Sequence, residues 1–251
     1  MEEPSPVKPT KISRYKQWLS LSDFDKAPWG AGAALLIGVG LSMLIQFALI
    51  LLSLPFESQI SSIDIGQQLR ALIITVAGIL PFAAYVRYKG WSFRDVMLIT
   101  KIKFDDIKVT LKGVPLYTLL TVSALMMLML VAPQAFNYEQ DVGVEVGDPI
   151  SIMVTSFILI VLVVPVVEEI LFRGILFRGF ERLAGFWFGV VGSSLMFGLL
   201  HGSLVVATDT FMLGVVSCLL TARSSSLWPA ILLHLLKNLL VYYARFIAPL
   251  V

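Results

Sequence analysis

Long apolar runs alternate with short polar breaks over most of the chain. A membrane-spanning helix needs ~20 mostly apolar residues. Seven stretches approach that: 29–54, 69–88, 112–133, 150–181, 186–202, 209–223 and 227–249. The fifth and sixth are short, with a break around Gly202 and Ser203. The fourth is too long to be only a span. At ~1.5 Å per residue it would reach ~48 Å, so part of it should project or bend, and Pro165 marks the expected bend. The pattern predicts an all-α integral membrane protein of about seven transmembrane helices. It has one membrane domain over 29–251, preceded by a polar tail over 1–28.

Charge sets the expected orientation. The tail holds Lys8, Lys11, Arg14, Lys16 and Lys26, and a second basic stretch runs from Arg87 to Lys112. Arg178, Arg182 and Arg223 follow later spans. The opposite connections are nearly free of Lys and Arg, and 134–148 carries Glu139, Asp141, Glu145 and Asp148 instead. By the positive-inside tendency the N-terminus is cytoplasmic and the C-terminus external. The tail is polar and leads into an apolar run too long for a cleavable signal core, so it is expected to stay as a solvated tail. Segment 90–108 mixes aromatic and basic residues and is expected to lie on the cytoplasmic surface.

Composition supports the membrane class. Hydrophobic residues make up 57% and charged ones 14%, against about 25% charged in soluble domains. A net charge of +2 is too small to suggest a nucleic-acid partner. Cys218 stands alone, which excludes an internal disulfide, and reads as a packed core residue.

Against this background a few ionisable residues stand out, because such side chains are costly in the bilayer and usually face a partner or a cavity. Both histidines of the chain, His201 and His234, lie in apolar segments, and the fourth segment carries Glu168 and Glu169 side by side. Adjacent helical residues point ~100° apart, so the two glutamates cannot share a face. Glu169 and Arg173 are four apart and do share one, which predicts an ion pair. Glu168 is left as the carboxylate without a local partner, a candidate general base. Phe197 and His201 also lie four apart, as do His234 and Asn238. Histidine and asparagine can both donate to a developing oxyanion.

The patterns Glu-Glu-x-x-x-Arg (168–173), Phe-x-x-x-His (197–201) and His-x-x-x-Asn (234–238) resemble the three motifs of the CAAX prenyl protease 2 and bacteriocin-processing (Abi) family of intramembrane proteases. They occur in the family's order, and the resemblance covers roughly 150–245. It implies an intramembrane endopeptidase, with the site among the fourth, fifth and seventh helices. Glu168 would activate the hydrolytic water and His201 would hold it. His234 and Asn238 would stabilise the oxyanion, while Glu169, Arg173 and Phe197 would support the site. The implied partners are the lipid bilayer and a peptide or protein substrate arriving from it or its surface. The implied location is a bacterial cell membrane.

The expected cofactor set is empty, with zinc as the alternative. Glu168, His201 and His234 contain the ligand types of a His₂Glu zinc site, and the family is often labelled metalloprotease on that basis. Here, however, no two histidines share one helix face at the spacing of a His-Glu-x-x-His site. Two non-proteolytic alternatives stand beside the enzyme: polar residues that merely join helices, and an inactive relative serving as an immunity or scaffold protein. Asp209 reads as an interfacial or capping residue. Lys237 reads as a counter-ion for a glutamate or as a snorkelling side chain. Depth leaves one mismatch. At ~1.5 Å per residue, Glu168 lies ~21 Å and His201 ~24 Å from their helix ends, but His234 only ~12 Å, unless the turn around Ser224–Pro229 dips into the protein.

Overall fold

The computed structural model describes residue 40 and residues 80–88, 90, 92, 98–99, 101–137 and 144–250. The expected tail and, apart from Gly40, the first expected span lie outside the described residues. Of the second span, Leu80–Tyr88 is described and forms helix α1.

Every regular element among the described residues is helical. In lipid each segment must satisfy its own backbone, which favours this outcome. Four helices are long and apolar enough to cross a membrane. They are α2 (Phe104–Val131), α3 (Ile150–Ala184), α5 (Leu204–Ser224) and α6 (Trp228–Ile247), while α4 (Phe186–Leu199) is apolar but shorter. The chain is a multi-pass membrane protein.

Helix α2 starts at Phe104, within the stretch expected to lie on the surface. The charges there belong to the helix start. The Lys103 N–H donates to Asp106 Oδ2 at 2.8 Å, and Asp105 and Asp106 occupy the first turn, where carboxylates suit the positive end of the helix dipole.

Helix α3 has the expected length and stays helical through Pro165. It also widens. Ile158–Val163 and Ile170–Phe177 are π-helical, on either side of an α-helical turn at Val164–Glu169. In the first wide segment the Val164 N–H reaches the carbonyl of Leu159, five residues back. Wide turns of this kind are a standard way for a helix to accommodate an interruption such as proline.

Helix α4 ends at Leu199, so His201 sits in the following turn and not within a helix. Gly202 closes that turn at φ +69°, a conformation that costs glycine little. Helix α5 begins at Leu204, earlier than the expected 209. The polar run Thr208–Thr210 lies inside it, since the Thr208 and Thr210 hydroxyls return to the carbonyls of Leu204 and Val206.

The turn into α6 removes the depth mismatch. Ser225 is left-handed, Ser226 and Leu227 are buried, and the Leu227 N–H donates to the Leu98 carbonyl at 3.1 Å. Helix α6 therefore starts inside the protein, and two turns suffice to bring His234 level with the glutamates.

The main core gathers Phe172, Ile175, Phe197, Leu213 and Leu233. Helices α4 and α5 approach closely at Gly198, where an added Cβ would lie 2.7 Å from the Ala207 carbonyl oxygen and 3.2 Å from Phe211 Cβ. A backbone oxygen cannot rotate away as a side chain can. Gly198→Ala should therefore separate the two helices and cost about 1–3 kcal/mol. The check is the thermal midpoint of purified protein in detergent, and an unshifted midpoint would contradict the close packing.

Candidate active site

One carboxylate organises the polar centre. Glu169 is fully buried on α3. Its Oε1 accepts from Arg173 Nη1 at 3.1 Å and lies 2.9 Å from His234 Nδ1. The expected Glu169–Arg173 pair is present, and a histidine from α6 joins it. The Arg173 guanidinium lies over the Phe197 ring, 4.4 Å from its centroid. That ring meets His201 edge-on at 4.9 Å and His234 at 5.8 Å. Phe197 thus supports both histidines and covers the arginine. Gly214 on α5 leaves the room this needs, since a Cβ there would stand 3.0 Å from Arg173 Nη2 and 2.8 Å from Ser194 Cβ.

Glu168 points elsewhere, as the ~100° step between neighbours requires. It lines a cavity of about 910 Å³ together with His201, His234 and Asn238. All four of the residues read from the sequence as catalytic candidates meet on this one surface. Glu169, Arg173 and Phe197 lie behind it.

Hydrogen-bond partners fix the ring nitrogens. His201 Nδ1 lies 2.7 Å from the Phe197 carbonyl oxygen. A carbonyl only accepts, so Nδ1 carries the proton and Nε2 of the neutral ring is a bare acceptor. His234 Nδ1 donates to the Glu169 carboxylate by the same reasoning, which leaves its Nε2 facing Glu168 Oε2 across 3.7 Å. That gap is too wide for a direct hydrogen bond.

Asn238 owes its place to Pro165. In the wide segment of α3 the Ile160 carbonyl would pair with the N–H five residues on, and proline has none. Asn238 Nδ2 donates to that carbonyl at 2.8 Å. One amide hydrogen fills the gap in α3, and the second stays available.

Two residues take roles that the sequence reading did not give them. Asp209 is not a cap, since α5 begins five residues before it. It lines the same cavity, and its Oδ2 lies 3.1 Å from Lys237 Nζ. The hydroxyl of Tyr117 on α2 donates to Oδ1. Lys237 is therefore the counter-ion of Asp209, not of a glutamate. Spacing could not reveal this pairing, because Asp209 and Lys237 are on different helices. A lysine and an aspartate within apolar runs were the available signal.

Zinc chemistry of the His₂Glu type needs three converging ligands. Among the described residues no three His, Cys, Asp or Glu side chains form such a group.

Comparison with known proteins finds one matching family model and one relative. Residues 150–240 match the family model described as "Type II CAAX prenyl endopeptidase Rce1-like". The chain is also 33% identical over 93 residues to "Putative membrane peptidase YdiL" of Bacillus subtilis (strain 168). That similarity covers 37% of this chain and 36% of the relative. No solved structure matches the chain.

The buried pair can be tested by a double-mutant cycle. Glu169→Ala strands Arg173, and removing one member of a buried pair typically costs ~3–5 kcal/mol. Adding Arg173→Ala should restore part of that loss, so the double variant should be more stable than additivity allows. The readout is thermal unfolding of all four proteins. Strict additivity would mean that the two side chains do not interact energetically.

Proposed function

We propose that this protein is an intramembrane endopeptidase that hydrolyses peptide bonds with a water activated by Glu168. One observation carries the reading. The two neighbouring carboxylates have separate surroundings: Glu169 is buried and held by Arg173 and His234, while Glu168 faces a cavity shared with His201, His234 and Asn238. A structural pair has no need of the second carboxylate. The Rce1-like match over 150–240 points the same way.

The steps follow from the groups present. A substrate carbonyl carbon enters the cavity beside the water. Water gives one proton to Glu168, and the bare Nε2 of His201 accepts a hydrogen bond from the other. The water oxygen attacks the carbonyl carbon. The second amide N–H of Asn238 donates to the resulting oxyanion. Glu168 then returns its proton to the amide nitrogen as the C–N bond breaks, giving a carboxylic acid and an amine. Nε2 of His234 faces Glu168 and can share its proton, and the positive charge then placed on the ring is met by Glu169. The substrate is a membrane-associated peptide or protein, and the basic connections favour a cytoplasmic N-terminus.

A second reading keeps the protease and changes the activator. Both histidines present an unprotonated Nε2 while donating through Nδ1, as zinc ligands usually do. The sets of partners differ: a water-activating Glu168 must be free to take a proton, whereas a ligating Glu168 is not.

Glu168→Gln keeps size and hydrogen bonding but removes the base. It should lower single-turnover cleavage by about 10²–10⁴-fold with the thermal midpoint nearly unchanged. Wild-type turnover in this variant would sink the assignment. Extensive treatment of wild-type protein with a strong chelator should leave most of the activity, and elemental analysis should find well under one zinc per chain. Activity lost on chelation and restored by stoichiometric zinc would favour the second reading.

A further inference from the structure

The donors around the cavity do not suffice for an oxyanion on the reading above. Preorganised sites usually aim more than one donor at the developing charge. His234 in its neutral form has no proton on Nε2, and Asn238 has already committed one of its two N–H groups to Ile160. A single amide hydrogen remains from these residues.

Lys237 makes up the difference. Its side chain is mostly buried, at 14% exposure, in the wall of the same cavity. It follows His234 by three on α6 and so lies on the same side of the helix, and its side chain lines the cavity together with Asn238. An ammonium has three N–H donors. Asp209 Oδ2 takes one. Oδ1 of the same carboxylate is occupied by the Tyr117 hydroxyl, so Asp209 is held from α2 and does not draw further on the lysine. Two N–H groups of Lys237 are left, and a charge-assisted bond is about twice as strong as a neutral one.

We propose that Lys237 is a catalytic residue that donates to the carbonyl oxygen of the scissile peptide as it becomes an oxyanion, with Asp209 and Tyr117 holding its ammonium in place. This rests on the endopeptidase reading. The lysine gains and loses no proton in the step. Negative charge builds on the oxygen as water adds, is met by the Lys237 and Asn238 donors, and returns to the C=O bond when the C–N bond breaks. The Asp209–Lys237 pair is then more than a tether between α5 and α6. Asp209 lowers the cost of burying the ammonium while leaving most of its hydrogens to the substrate.

The test uses full-length protein reconstituted in liposomes and a quenched fluorogenic peptide chosen from a library for cleavage by the wild type. Lys237→Met should lower kcat by about 10²–10³-fold, the range for loss of one oxyanion donor, with KM little changed. Lys237→Arg, which keeps charge and donors, should recover part of the rate. Asp209→Asn should cost much less activity than Lys237→Met. Lys237→Met alone leaves Asp209 without its cation, which lowers stability, so the double variant Asp209→Asn/Lys237→Met is measured beside it. The double variant should regain wild-type thermal stability and stay as slow as Lys237→Met.

Recovery of activity in the double variant would overturn the proposal, because it would make the pair a tether only. A loss confined to peptides with a free C-terminal carboxylate, and absent on their amidated forms, would also overturn it, since Lys237 would then be an anchor for the substrate's end. Glu168→Gln is run in the same series. A dead Glu168→Gln with an unimpaired Lys237→Met removes this inference and leaves the endopeptidase reading standing. A wild type that cleaves nothing in the library removes both.

Discussion

A carboxylate buried in a membrane protein must be met by donors, and the position of Glu169 governs much of what surrounds it. Desolvating a charge costs several kcal/mol unless the geometry of its partners is good. Here one oxygen receives Arg173 from the same helix and His234 from α6. The first contact follows from a four-residue spacing. The second fixes how deep and how rotated α6 must sit. It also fixes the proton on His234 Nδ1 and leaves Nε2 on the side of Glu168. Arg173 in turn needs a surface for its guanidinium, which Phe197 provides, and space, which Gly214 provides. The placement of both histidines thus follows from a group that need not touch substrate.

The same pair of helices shows how an irregular backbone can be put to use. Two wide π segments flank the glutamates, and such segments are frequent at functional sites. Pro165 leaves a carbonyl without a donor, and the chain answers with Asn238 from a distant helix. A side chain that the resemblance names for chemistry is therefore also a piece of the backbone's hydrogen bonding. Removing it would disturb both.

Some of this could be read from the residues and some could not. The apolar runs corresponding to α2–α6 were legible because a helix in lipid is long and uniform. Their ends were less so: α2 begins earlier than expected because Asp105 and Asp106 look like surface charge until they are seen as the helix's first turn. The pairing of Glu169 with Arg173 was legible, being local on one helix. His234 meeting the same carboxylate was not, since nothing in the spacing says which helices touch. The partners of Asp209 were hidden for that reason: Lys237 and Tyr117 come from two other helices. The recessed turn at Ser226–Leu227 could be named as a possibility from depth alone, and only the contact with Leu98 decided it.

Synthesis order gives the Asn238–Ile160 contact another meaning. Helix α3 leaves the ribosome carrying two carboxylates, an arginine and a carbonyl with no donor of its own, and His234 follows Glu169 by 65 residues. As an isolated span it is a poor tenant of the bilayer, because each unmet polar group costs free energy there. Its last needs are supplied only when α6 arrives. Helix α6 is therefore a closing strut for assembly: before it docks, α3 must wait at the insertion machinery, against other helices or in contact with water.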